Sequence, residues 1–285
     1  MKDRLFRLLG VEAGEESMVA MLLTQSVFLG IFFGAFDISA HSPFLSVYDE
    51  KMMARAYVIS GLAGIVLTGT YTWLQAKMHF RTFATTNLIF VTLITFLLWL
   101  SLLLFPGKIT TFAVFVMLGP LNILAMLGFW GTTGRLFTLR QGKRLFGLVD
   151  AGLVIGIIIS CYAIPVLLSL KFSSHNILII STATVLAATV VQILIGRKFT
   201  FVVVETSSSE KKPGLSIFRE SPYIRIMGIF IALSVMTAFF VQYSFMAVTR
   251  LQYPLEEDMA RFLGLFTGSM MIFTLLIKLL VFSYI

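Results

Sequence analysis

The chain has few charged residues and a single cysteine. Of its 285 residues, 13% are Asp, Glu, Lys or Arg and 58% are hydrophobic, whereas soluble domains are about one quarter charged and about half apolar. A soluble fold of this size could not bury so much apolar surface, and long uncharged stretches recur along the chain. The composition therefore excludes an ordinary soluble domain and predicts a membrane protein.

The side chains that enzymes use are also scarce. Cys161 lies in an apolar stretch and, being alone, excludes both a disulfide framework and a cysteine-based metal site. The three histidines fall in predicted loops or at the ends of predicted spans, and no HExxH, GxSxG or Walker A sequence occurs. We therefore expect no catalytic residue, no metal and no cofactor, and we do not expect an enzyme.

Eight apolar stretches are long enough to cross a bilayer, which requires about twenty residues. We predict an all-α fold, a polytopic membrane helical bundle. The predicted spans cover residues 18–38, 54–76, 83–105, 110–133, 149–170, 176–196, 223–247 and 262–285.

Polar segments divide the chain into four parts. Residues 1–10 alternate between basic and apolar, and we interpret residues 1–17 as an amphipathic segment on the cytoplasmic membrane surface. Residues 18–196 form a predicted six-helix N-terminal bundle, residues 197–222 a cytoplasmic linker, and residues 223–285 the first two helices of a second bundle. Because no polar segment follows the last span, we expect remaining helices or a regulatory domain beyond residue 285.

The positions of Lys and Arg predict the orientation in the membrane. The net charge is +8, but the cations form short clusters between apolar stretches, so we expect no nucleic-acid partner. With a cytoplasmic N-terminus, 15 of the 22 cations lie inside, 6 lie outside, and Lys278 lies within the last span. Cytoplasmic loops are enriched in Lys and Arg. We expect a multi-pass protein of the bacterial inner membrane with its N-terminus in the cytoplasm.

Small residues recur at four-residue spacing in three spans, which lines one helix face and lets two backbones approach closely. They are Gly30 and Gly34, then Gly152, Gly156 and Ser160, then Gly264 and Gly268. The pattern fits both static packing and faces that move against each other during transport.

Ionisable residues inside a span are costly and are functional candidates by default. Lys278, in TLLIKLLVF, is the expected contact for an anion. Asp37, near the outer end of span one, either lines a cavity or lies at the interface. Asp150 opens span five, either as a gate residue or as a structural partner of Lys143 and Arg144.

Three further polar residues are weaker candidates for substrate contact. Arg55 lies at the outer start of span two. Asn122 in span four and Gln242 in span seven either touch substrate or hydrogen-bond between helices, as does Gln25 in span one.

A cluster of four cations interrupts the apolar sequence in RLFTLRQGKRLFGLVDAG, residues 135–152. The part RQGKRLFGLVDAG resembles the loop between helices four and five of the nucleotide transporter family, the ATP/ADP translocase type, and of its bacterial relatives in the major facilitator superfamily. In that family a small residue, Lys-Arg, an aromatic residue and a glycine lead into helix five, here Gly142, Lys143, Arg144, Phe146 and Gly147. The start, RLFRLLGVEAGEES, is similar to the family's entry into helix one.

The resemblance implies a bundle of two six-helix halves around a central cavity. It also implies a secondary-active transporter that works by alternating access on an organic anion such as a nucleotide, by uptake or by antiport of ATP and ADP. The expected partners are this small anion and the lipid bilayer. The expected substrate-binding residues are Lys278, Asp37, Arg55, Asn122 and Gln242, and those of the cytoplasmic mouth are Lys143, Arg144 and Asp150.

One loop departs from the family pattern. The sequence WLQAKMHFRTF after span two keeps positive charge at Lys77 and Arg81 but has no acidic residue. This absence, together with the few charges inside the spans, favours the alternative of a non-transporting scaffold or sensor with the same fold.

Overall fold

The computed structural model of the protein describes residues 11–12, 14–170, 172, 174–201 and 221–282. This part of the chain is helical and contains no strand. Its helices are α1 (Glu16–Val47), α2 (Glu50–Lys77), α3 (Phe80–Leu104), α4 (Lys108–Leu136), α5 (Leu139–Ser169), α6 (Ser174–Lys198), α7 (Pro222–Gln252) and α8 (Glu256–Phe282). Eight helices in the described part of the chain are long and apolar enough to cross a membrane, so the predicted all-α bundle of eight spans is confirmed.

Two of the predicted segments cannot be compared with the structure over most of their length. Residues 1–10 of the predicted amphipathic segment and residues 202–220 of the predicted linker lie outside the described residues.

Helix α5 begins at Leu139, well before the predicted start of span five at residue 149. Thr138 caps the helix: Gln141 accepts a hydrogen bond from the backbone N–H of Thr138 at 2.9 Å, and the hydroxyl of Thr138 accepts one from the backbone N–H of Gln141 at 3.4 Å. Lys143 and Arg144 therefore lie on a helix, and the prediction of a loop here is wrong. A hydropathy pattern detects the apolar stretch but not the capped polar turns before it.

Helices α1 and α5 cross where both carry small residues. A Cβ on Gly30 would lie 2.1 Å from the carbonyl oxygen of Leu153, and one on Gly156 would lie 2.2 Å from that of Val27. A Cβ on Gly34 would lie 2.1 Å from the hydroxyl oxygen of Ser160. The close approach predicted from the four-residue spacing is confirmed for this pair of helices.

A buried polar network connects α1 with α6. Gln25 and Gln192 are almost completely buried, and Nε2 of Gln25 donates a hydrogen bond to Oε1 of Gln192 at 2.8 Å. The hydroxyl of Thr132, on α4, lies 3.3 Å from the same oxygen. Gln25 thus forms an interhelical hydrogen bond, one of the two roles considered for it.

Contacts between helix ends show that the cation-rich segments share one end of the bundle. Arg144 contacts Glu15, which precedes α1, and Lys198, at the end of α6, donates a hydrogen bond to Ser17. At the other end, Tyr48 donates a hydrogen bond to the carbonyl oxygen of Lys108 at 2.7 Å. Helices α1, α4, α5 and α6 therefore alternate in direction as predicted. A cytoplasmic position for the cation-rich end stays a prediction.

The chain divides into two compact units. The first comprises Met1–Val202 together with Pro254–Ile285, and here α8 packs against α5 and α1. The second comprises Val203–Tyr253 and includes α7, which carries Gln242. The assignment of residues 223–285 to a second bundle stays a prediction.

Candidate functional site

Lys278 and Asp150 form an ion pair between α8 and α5. Nζ of Lys278 donates a hydrogen bond to Oδ2 of Asp150, and the two side chains are 32% and 31% exposed. A single charge inside an apolar helix is costly, and a partner of opposite charge lowers this cost. The structure thus brings together the residue predicted to bind an anion and a residue predicted to act as a gate.

The packing of α8 along α5 explains why these two residues meet. A Cβ on Gly264 would lie 2.8 Å from the carbonyl oxygen of Cys161, and one on Gly268 would lie 3.2 Å from the Cβ of the same residue. The glycines let α8 approach α5 closely, and the helices run in opposite directions. Similar lengths of helix therefore separate Gly268 from Lys278 on α8 and Cys161 from Asp150 on α5, which sets the two charges opposite each other.

Arg144 has other partners than Asp150. It forms ion pairs with Glu12 and with Glu15, the latter at 2.6 Å, and Gln141 donates a hydrogen bond to Glu15 at 2.8 Å. Six residues along a helix correspond to about 9 Å and about 240° of rotation, so Arg144 and Asp150 lie on different faces of α5. In the structure Asp150 pairs with Lys278 and not with Arg144, and it lies about three turns after the start of α5 rather than in the first helical turn.

The charge of Glu15 is stabilised by its neighbours. Burial raises the pKa of this carboxyl group, but hydrogen bonds from Gln141 and from the backbone of Glu12, together with the charge of Arg144, outweigh burial and hold the pKa below its ordinary value. Lys143, one residue before Arg144, is exposed. The segment before α1 and the start of α5 are therefore held together by charge at the predicted cytoplasmic mouth.

A second ionisable pair lies inside α1, and sequence analysis missed one of its members. His41 is 1% exposed, and its Nδ1 lies 2.9 Å from the carbonyl oxygen and 3.3 Å from Oδ1 of Asp37. Its Nε2 is buried without a hydrogen-bond partner in the described part of the chain. The predicted span ended at residue 38, whereas α1 continues to Val47. The i, i+4 spacing of Asp37 and His41 is the signal that could have revealed the pair.

Of the other three candidates, Arg55 and Asn122 do not join the Lys278–Asp150 pair within the described residues. Arg55 is exposed on α2, where its guanidinium lies 3.8 Å from the sulfur of Met52, near the end of the bundle away from the cation-rich segments. Asn122 lies within α4, and its Oδ1 is buried without a hydrogen-bond partner among the described residues. Gln242 lies on α7, in the second unit.

Comparison with known proteins does not identify a family. No family model, no curated protein and no solved structure matches the chain. The resemblance carried by residues 135–152 therefore stays a prediction, and any function has to be argued from the arrangement of the side chains.

Proposed function

We propose that the chain forms part of a secondary-active transporter of the major facilitator type, which carries an organic anion such as a nucleotide by alternating access. The observation that carries this proposal is the ion pair of Lys278 and Asp150 between two apolar helices. Ionisable residues inside membrane helices mark substrate and ion pathways, because apolar side chains would hold two helices together at a lower cost in free energy.

In this mechanism the substrate competes with Asp150 for Lys278. A phosphate or carboxylate group of the substrate takes the place of the Asp150 carboxylate beside Lys278 and leaves that carboxylate without its partner. Because the ion pair joins α5 to α8, exchanging its partner loosens the contact between these helices. A ligand shifts a conformational equilibrium only through different affinities for the two states, and competition for Lys278 supplies such a difference.

The contacts of Arg144 with Glu12 and Glu15 provide a second element of the proposed mechanism. They connect the segment before α1 to the start of α5 at the predicted cytoplasmic mouth. In the proposed cycle these ion pairs form when the cytoplasmic mouth closes. The close crossing of α1 and α5 at their small residues keeps the rest of this helix pair rigid.

Thermal unfolding of the purified full-length protein tests the proposal. ATP, ADP, inorganic phosphate and simple organic anions are added to the wild type and to the Lys278→Gln and Asp150→Asn variants. A ligand that binds the folded state raises Tm in proportion to its occupancy. We expect ATP or ADP to raise the Tm of the wild type, Lys278→Gln to abolish the shift, and Asp150→Asn to enlarge it because the competing carboxylate is gone.

A matched control and a double variant separate binding from structure. Lys51→Gln removes a lysine charge at an exposed position on α2 and should leave the ligand shift unchanged. If no anion changes Tm at millimolar concentration, and Lys278→Gln/Asp150→Asn regains the stability that each single variant loses, the pair is structural. The scaffold or sensor alternative would then replace the transporter, whereas a positive result leads to uptake assays in liposomes.

A further inference from the structure

A groove between α3 and α6 opens at the cation-rich end of the bundle. Its cavity of about 180 Å³ is lined by Arg81 and Arg197 together with threonines of the first turns of α3. The stem of Arg81 crosses α6 at Gly196, where an added Cβ would lie 3.3 Å from the Cγ of Arg81. Two arginines from different helices therefore line the same cavity.

Both arginines are exposed. Neither has an acidic partner within the described residues. By contrast, Arg144, at the same end of the bundle, has two acidic partners. An anion bound in a cavity that two arginines line is attracted by both charges. Guanidinium groups match the geometry of phosphate, with which they form paired, charge-assisted hydrogen bonds, so the cavity has the chemistry of a phosphate site.

Beyond the cavity, both α3 and α6 carry exposed apolar side chains. Exposed apolar side chains follow each helix at spacings of three or four residues, Phe90, Leu93 and Leu97 on α3 and Leu194, Val190 and Leu186 on α6. Thr92 and Thr189 join the two helices by a hydrogen bond of 3.0 Å. From Thr86 to Leu97 the helix rises by about 16 Å, which is close to the depth of one leaflet of the hydrocarbon core.

We propose that this groove binds an anionic phospholipid, with its phosphate between Arg81 and Arg197 and an acyl chain along the apolar side chains of α3 and α6. A phosphate site at the edge of an apolar stripe fits a lipid, whereas free phosphate would use only the cavity. Basic pockets between membrane helices are a recurring mode of binding anionic lipid head groups. This site is separate from the Lys278–Asp150 pair and does not depend on transport.

Lipid titration of the full-length protein tests the proposal. The protein is delipidated in a neutral detergent, and phosphatidylglycerol, phosphatidylcholine or inorganic phosphate is added while Tm and bound lipid are measured, the latter by native mass spectrometry. We expect phosphatidylglycerol alone to bind and to raise Tm. In Arg81→Gln/Arg197→Gln its apparent Kd should rise about thirtyfold, the effect of losing two cations at a membrane surface.

Two further double variants test whether the effect on Kd is specific to the cavity and to guanidinium groups. Lys77→Gln/Arg140→Gln removes two exposed charges at the same end but outside the cavity and should leave Kd unchanged. Arg81→Lys/Arg197→Lys keeps the charges and should retain part of the affinity. The proposal is overturned if phosphatidylcholine binds as tightly as phosphatidylglycerol, if the two glutamine pairs weaken binding equally, or if inorganic phosphate at the same concentration gives the full shift in Tm.

Discussion

At the scale of single residues, Glu15 connects protonation to stability. Its pKa is held below the ordinary value by Gln141, Glu12 and Arg144 against the effect of burial. A carboxyl group with a lowered pKa in the folded state stabilises the protein above its ordinary pKa, and this stabilisation is lost as pH falls through the lowered value. We expect Glu15→Gln to lower Tm at pH 7, and the difference from the wild type to shrink as pH falls below about 4.

Thermal unfolding of both proteins in nanodiscs between pH 3 and pH 7 measures this difference. Glu257→Gln is the matched control, because Glu257 is exposed in the first turn of α8, and it should change Tm little at any pH. An equal loss of Tm in Glu15→Gln at pH 7 and at pH 3 would contradict the assignment of a charged Glu15 to the contact with Arg144.

At the scale of helices, the crossing of α1 and α5 depends on glycine. A Cβ on Gly156 would lie 2.2 Å from the carbonyl oxygen of Val27 and 2.9 Å from the Cα of Gly30. Both are backbone atoms that no side-chain rotation can remove, so the helices must separate. Overpacking of this kind costs about 1–3 kcal/mol, and we expect Gly156→Ala to lower the Tm of the purified protein by several degrees.

The same substitution on α2 separates the effect of packing from that of helix propensity. A Cβ on Gly61 would meet nothing within 4 Å, and alanine is the better helix former, so Gly61→Ala should leave Tm unchanged or raise it. Equal Tm values for Gly156→Ala and Gly61→Ala would show that the crossing of α1 and α5 is looser than described.

At the scale of the whole molecule, the bias of Lys and Arg predicts which end faces the cytoplasm. Cys161 is buried and is the only cysteine, so Cys161→Ala provides a cysteine-free background. Arg140→Cys and Lys51→Cys then place single thiols at exposed positions on opposite ends of the bundle. We expect a membrane-impermeant maleimide to label Lys51→Cys in intact cells and Arg140→Cys only after the membrane is opened.

Each labelled position serves as the control for the other. Labelling of both thiols in intact cells would indicate leaky membranes, which a cytoplasmic reporter protein detects. Labelling of Arg140→Cys alone in intact cells would reverse the predicted orientation, and with it the leaflet in which the groove between α3 and α6 lies.

The sequence by itself determined the number of spans, the alternation of α1, α4, α5 and α6, and the small residues at which α1 crosses α5. These features depend on local properties, because an apolar stretch of sufficient length must become a helix in a bilayer and four-residue spacing repeats on one helix face. Lys278, Asp150 and Asp37 could also be singled out, since a charge inside an apolar stretch is visible without a structure.

Only the tertiary structure decided which of these residues are partners. The approach of α8 to α5 at Gly264 and Gly268 sets the register that places Lys278 opposite Asp150. The rotation of α5 directs Arg144 instead to Glu12 and Glu15, and the continuation of α1 past the apolar span buries His41 beside Asp37. Register and rotation depend on how several helices pack at once, so no single stretch of sequence contains them.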